Sequence, residues 1–243
     1  MAVIECSGCG KAVSVQETSC PNCGLVLPEA KTPTLLQPKP RACVITLMLI
    51  GISALVYALT VTNPKLIQMF SITQYEGIGS TVVWEPALPE IASGQLWRLF
   101  TPSLIQFSII SFLPAMVFLF YFGRRIEKRN GPRFLIIFVL LAGILSNLGQ
   151  YVWNGPNFGG NGGVVYALFG YAWMTGMSGH GNDAKLPTYI VVILLLLFAL
   201  EVIPWGPVYH SAYVVTGVGF AFGLAWGYLS AFVGNGTKQS TDN

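Results

Sequence analysis

Four of the five cysteines fall into two Cys-x-x-Cys pairs, "CSGC" at 6–9 and "CPNC" at 20–23, separated by ten residues. Two thiolates at that spacing share one face of a tight turn, and two such turns complete a tetrahedral S4 site. Cys6, Cys9, Cys20 and Cys23 are therefore expected to hold Zn2+, with Gly10 and Gly24 turning the chain beneath the metal. Ferrous or ferric iron would fit the same spacing. A segment this short has little core, so metal binding would supply much of its folding free energy. The odd cysteine, Cys43, stands at the start of the first apolar run and reads as a small packing residue.

A second stretch has the opposite character. "GPNFGGNGGVVYALFGY", residues 155–171, crowds five glycines into its first nine positions and then runs into an apolar helix. Glycine-rich turns that open a helix place backbone N–H groups around an anion or a reacting carbonyl. A nucleophile usually accompanies such a turn, yet this one has no Ser, Cys, Thr or Lys. The chain has only two histidines, His180 and His210.

The elements that position these residues are membrane helices. The chain is 53% hydrophobic and 9% charged, against about 25% charged for a soluble domain. Apolar runs near the spanning length of about 20 residues lie at about 43–62, 105–123, 134–153, 163–178, 188–204 and 212–232. Lys11, Lys31, Lys39, Arg41, Arg124, Arg125, Lys128, Arg129, Arg133, Lys185 and Lys238 fall on one side of a six-helix bundle, leaving Lys65 and Arg98 opposite. That asymmetry predicts both termini in the cytoplasm. In that reducing compartment, disulfides between the four cysteines are disfavoured. The net charge of +3 records the same bias and implies no nucleic-acid partner. The first apolar run starts too late and is too long for a cleavable signal peptide. Residues 25–41, rich in Pro and basic, read as a tether. Leu96, Trp97, Leu99 and Phe100 around Arg98 form an amphipathic patch suited to lipid headgroups, or equally a loop folded on its own protein. Gly219, Gly223 and Gly227 recur every fourth residue in the last helix, a spacing that lets two helices approach closely.

The glycine turn, the upstream "WRLFTPSLIQFS" and "IEKRNG", and the glycine-spaced last helix together resemble the rhomboid family of intramembrane serine proteases, from about Trp97 to Leu229. The similarity is greatest to the compact six-helix bacterial members and does not cover the cysteine module. The resemblance implies a nucleophile in a Gly-x-Ser-Gly turn, where this chain has Gly160, Asn161, Gly162 and Gly163, so the serine position is Gly162. The general base, a His followed by small residues three and seven positions later, maps to Thr216 ahead of Gly219 and Gly223. The oxyanion helpers map to Ser111 and Ala115, with Pro114 between them. Glycine has nothing to acylate, and threonine cannot take a proton near neutral pH. His180 lies in a connection assigned to the far side, and His210 next to Ser211 makes a poor dyad because neighbours project apart.

Other polar groups have structural readings. Asn161 is a turn-stabilising residue that could also donate to a carbonyl. Glu127 resembles the family's structural Glu and reads as a salt-bridged loop residue, and Glu201 as interfacial. Asn147 and Gln150 are candidates for bonds across helices.

The sequence thus predicts an all-α polytopic membrane protein, a rhomboid-like six-helix bundle with a small N-terminal zinc ribbon. Residues 1–27 are the ribbon, 28–41 a linker, 42–232 the membrane domain and 233–243 a short tail. The expected function is that of a pseudoprotease in a bacterial inner membrane, binding transmembrane client proteins, with the ribbon recruiting a cytoplasmic protein. Asn161, Gly162, Gly163, Tyr166, Thr216 and Gly219 are the candidate lining of the client cavity. The alternatives are a protease with unrecognised groups and a zinc-responsive membrane sensor.

Overall fold

A computed structural model of the chain describes residues 3–14, 19–26, 43–78, 81–178, 185–202 and 213–239. His180, His210 with its neighbour Ser211, and the 28–41 linker lie outside the described residues. The chain divides into two compact units, 1–41 and 42–243.

In the first unit, β1 (Val3–Glu5) pairs antiparallel with β2 (Ala12–Ser14), Val3 opposite Ser14 and Glu5 opposite Ala12. Ser19 bridges Val26 in the same antiparallel sense. Its core consists of Cys6, Val13 and Cys20 with Cys9 packed against them. Apolar burial on that scale cannot hold a fold by itself.

The second unit is helical. α1 (Val44–Thr62) leads into a folded loop containing α2 (Ile67–Phe70), the hairpin of β3 (Tyr75–Ile78) and β4 (Thr81–Trp84), and α3 (Pro89–Ala92). Then follow α4 (Ile109–Asn130), α5 (Pro132–Asn154), α6 (Gly162–Met177), α7 (Thr188–Val202) and α8 (Tyr213–Gln239). α1, α4, α5 and α8 are long and apolar enough to cross a membrane, and α7 is a shorter apolar helix. This is an integral membrane protein with an all-α membrane domain. α6 has 16 residues, a span of about 24 Å against a hydrocarbon layer of about 30 Å. It is buried nearly all round, packed between α4, α5 and α8. A helix apolar on every face belongs in such a centre. Its Phe169 and Tyr171 meet Phe122 of α4 and Phe138 of α5 in an aromatic core.

Three local features differ from the sequence reading. First, α4 continues through the basic run 124–130 and ends only at Gly131, whose φ of 92° turns the chain directly into Pro132 of α5. The run "RRIEKR" is made of good helix formers, so nothing stops the helix earlier.

Second, Glu127 is no salt-bridged loop residue. It is buried inside α4 and accepts hydrogen bonds from Ile45 N and Thr46 N at 2.9 Å and from Thr46 Oγ1 at 2.6 Å. Cys43, at the N-cap of α1, makes no side-chain capping bond. Glu127 therefore caps α1 from a different helix, a carboxylate at the positive end of the dipole.

Third, the loop after α1 contains a hairpin, and its Arg98 points inward. Arg98 is 4% exposed, with Nη1 donating to Gln68 O and Ser71 O at 2.8 Å and Nε to Gln95 Oε1 at 2.7 Å. Leu96 and Trp97 face outward, Trp97 at 58% exposure. The patch is therefore split: Leu99 and Phe100 are half-buried, Phe100 against Gly143 of α5, and the cation ties the loop to itself.

Candidate functional site

In the cysteine unit, the two turns are built alike. Gly10 N donates to Cys6 O at 2.8 Å and Gly24 N to Cys20 O at 2.9 Å, with φ of 71° and 70°. Those left-handed conformations are the reason for a glycine after each pair. The turns bring all four Sγ atoms within 4.8 Å of one another. Cys6 and Cys23 are 3.6 Å apart, and Cys9 and Cys20 3.7 Å. A tetrahedron with metal–sulfur bonds of about 2.3 Å has edges of about 3.8 Å, so the donor set fits a metal ion. The electrostatics point the same way. Backbone N–H groups, that of Asn22 foremost, lower the Cys20 thiol to about 7. The Leu25 N–H lowers Cys23 too, but lost hydration and the neighbouring sulfurs prevail and push it up to about 12. Four thiolates this close need a cation among them.

In the membrane unit, the glycine turn is anchored to the loop between α1 and α4. Gly160 N donates to Pro102 O at 3.0 Å, and Gln106 Nε2 donates to Asn161 Oδ1 at 3.0 Å. Asn161 sits at the N-cap of α6 but makes no capping bond with its side chain. It is 4% exposed, and its Nδ2 has no partner among the described residues. The sequence reading anticipated a residue of the turn itself; the side chain instead reaches across to the loop.

α6 and α8 meet backbone to backbone. A Cβ at Gly219 would collide with the carbonyl of Gly163, and one at Gly223 with that of Ala167. Gly170 approaches Phe220 O in the same way, at 2.8 Å from its ideal Cβ. This packing brings two of the singled-out positions together: a Cβ at Gly162 would lie 3.1 Å from Thr216 Oγ1. Beyond its own chain neighbours and helix backbone, no other heavy atom of the described residues comes within 4 Å of that point. Gly162 is half-buried, whereas Gly163, Tyr166, Thr216 and Gly219 are buried. Tyr166 OH donates to Leu194 O at 3.0 Å, tying α6 to α7.

Ser111 stands apart from this group. It is exposed on α4, and its hydroxyl donates to Ser108 O at 2.9 Å. Ala115 is half-buried on the same helix. Asn147 and Gln150 do bond across elements: Asn147 Nδ2 donates to Leu99 O at 2.8 Å, and Gln150 Oε1 accepts from Val215 N at 3.1 Å, fixing α8 next to Thr216. Glu201, read from the sequence as interfacial, stands on α7 near the Thr216 side chain. An acid in an otherwise apolar helix was the available signal.

The family model of the Rhomboid domain matches residues 93–233, more than half of the chain. This chain belongs to the rhomboid family. Among the curated relatives, the rhomboid protease GlpG of Yersinia pseudotuberculosis is 34% identical over 102 residues, 42% of this chain and 37% of that protein. The GlpG rhomboid protease of an Enterobacter species is 37% identical over 101 residues, with the same shares. The chain thus spans little more than a third of the length of these relatives. The rhomboid match takes in the glycine turn, α4 to α8 and the inward Arg98, and leaves the cysteine unit outside.

Proposed function

We propose that this rhomboid is a pseudoprotease: it binds or regulates transmembrane client proteins without cleaving them. One observation carries the reading. The two positions that the rhomboid motifs assign to nucleophile and base, Gly162 and Thr216, lie against each other, and neither supplies the required group. The frame that would align a Ser with a His is present, while the atoms that would attack an amide and shuttle its proton are missing. Ser111 and Ala115 likewise offer no His–Asn pair to a developing oxyanion. Gly162, the half-buried member of the group, is where a client segment would meet the cavity lined by Asn161, Gly163, Tyr166, Thr216 and Gly219.

The proposed setting is a bacterial inner membrane with both termini in the cytoplasm. The ribbon, residues 1–27, holds Zn2+ through Cys6, Cys9, Cys20 and Cys23 and recruits a cytoplasmic protein. The linker covers 28–41, the membrane domain 42–232 and the tail 233–243. The zinc would supply structural cross-linking of the two turns, not catalysis.

Incubating the purified chain with a model transmembrane substrate and with a fluorophosphonate probe tests the reading. Neither cleavage nor labelling is expected. The Gly162→Ser/Thr216→His variant is expected to stay at background, because the oxyanion helpers remain absent. Cleavage by the wild-type chain would overturn the pseudoprotease and favour the second reading, an active intramembrane protease, for which the relatives' name of rhomboid protease speaks.

A further inference from the structure

α4 and α5 together carry one carboxylate, Glu127, and five cations between 124 and 133. Glu127 is buried and fully engaged with the start of α1. It cannot neutralise its neighbours. Arg125 donates to Lys185 O at 3.0 Å. That leaves Arg124, Lys128, Arg129 and Arg133, all exposed, with no carboxylate partner among the described residues.

Two of these cations continue an apolar stripe. Leu113, Val117 and Phe120 are exposed on α4, and Arg124 and Lys128 follow them at helical spacing of three or four on the same face. The Arg124 guanidinium lies 5.7 Å from the Phe120 ring centroid, so the charge sits directly on the end of the apolar surface. From Leu113 to Arg124 the helix rises about 16 Å, close to the roughly 15 Å of hydrocarbon in one leaflet. A stripe one leaflet long that ends in cations is complementary to a molecule with apolar chains and an anionic head.

We propose that this face of α4, from Leu113 to Lys128, is a binding site for an anionic glycerophospholipid. The acyl chains lie along Leu113, Val117 and Phe120, and the phosphate meets Arg124 and Lys128. Arg129 and Arg133, around the turn at Gly131, strengthen the field without touching the chains. The site is independent of whether the chain cleaves its clients. It selects lipids by charge, because a zwitterionic head brings its own cation against Arg124 and Lys128.

The test uses the full chain in detergent, supplied with equal amounts of phosphatidylglycerol and phosphatidylcholine, and retained lipid is counted by native mass spectrometry. Phosphatidylglycerol is expected to be retained preferentially. Arg124→Gln/Lys128→Gln should reduce that preference by about tenfold or more, at roughly one interacting charge per substituted residue. Arg124→Lys/Lys128→Arg should preserve it. Should the first variant fail to fold, Arg129→Gln/Arg133→Gln provides the second reading and is expected to lower the ratio in the same direction. Equal retention of the two lipids by the wild-type chain, or a ratio unchanged in the glutamine variants, overturns the site. Glycerol 3-phosphate in large excess should leave the lipid in place. Displacement by it would assign the cations to a soluble phosphate and overturn the lipid.

Discussion

The cysteine unit and the α6–α8 interface are both tight, but side chains hold the first and their absence permits the second. Within residues 3–26 the packing consists largely of the sulfurs themselves. Between α6 and α8 the contact is carbonyl against Cα, at Gly163 with Gly219 and at Ala167 with Gly223. Chemistry carried by side chains vanishes with a few substitutions. A framework carried by backbone contact survives the same substitutions, provided that the glycines remain. The α6–α8 framework can therefore outlast changes in the side chains around it, whereas the cysteine unit would not outlast its thiols.

The contrast is broken most severely in the ribbon. Chelating the metal proposed for the four thiols, or substituting Cys20→Ser, is expected to remove a binding free energy on the order of 10 kcal/mol. Amide NMR should then show loss of the β1–β2 pairing, while helical circular dichroism from the membrane unit stays unchanged. Next in size is Gly223→Val, which would drive a side chain into the Ala167 carbonyl and force the helices apart, at about 3 kcal/mol or more. Unfolding in mixed micelles measures it. Gly162→Ala should cost under about 1 kcal/mol in the same assay, because its Cβ meets only the Thr216 hydroxyl. Equal costs at 162 and 223 would contradict a backbone-held interface. Between these two lies Glu127→Leu, expected to cost about 2 kcal/mol by stripping acceptors from Ile45 N and Thr46 N.

The smallest effect concerns pH. Burial raises the Glu90 carboxyl, but bonds from Thr73 Oγ1 and Gln74 N and the Arg98 charge outweigh it and leave the group below its ordinary value. A carboxyl depressed in the folded state contributes stability that is complete above its unfolded pKa of about 4.3 and fades as pH falls through the folded value. The loop around α3 should therefore loosen only below about pH 4, read by hydrogen exchange at Thr73 and Gln74. Glu90→Gln should remove that acid step.

The helices were legible because each apolar run is long enough to be read locally, and the thiol cluster because its spacing is itself the geometry. The meeting of Gly162 and Thr216 followed from motif resemblance, with the four-residue glycine period showing which face of α8 would approach. Other features depended on partners far along the chain. Arg98 turns inward because the carbonyls of Gln68 and Ser71 wait for it, and Glu127 because α1 lacks a cap of its own. The β3–β4 hairpin had a local signal, the β-branched "TVVW" after Gly-Ser, which the surrounding apolar runs overshadowed. Glu201 could be located but not oriented, since its approach to Thr216 depends on where α7 lies.

The cap that Glu127 provides also bears on biosynthesis. α1 emerges from the ribosome some eighty residues before the carboxylate that completes its first turn. Until α4 is inserted beside it, the leading N–H groups of α1 must borrow acceptors from water or lipid heads. A helix made early in this unit is thus among the last to be finished, and its final seating waits on its pairing with α4.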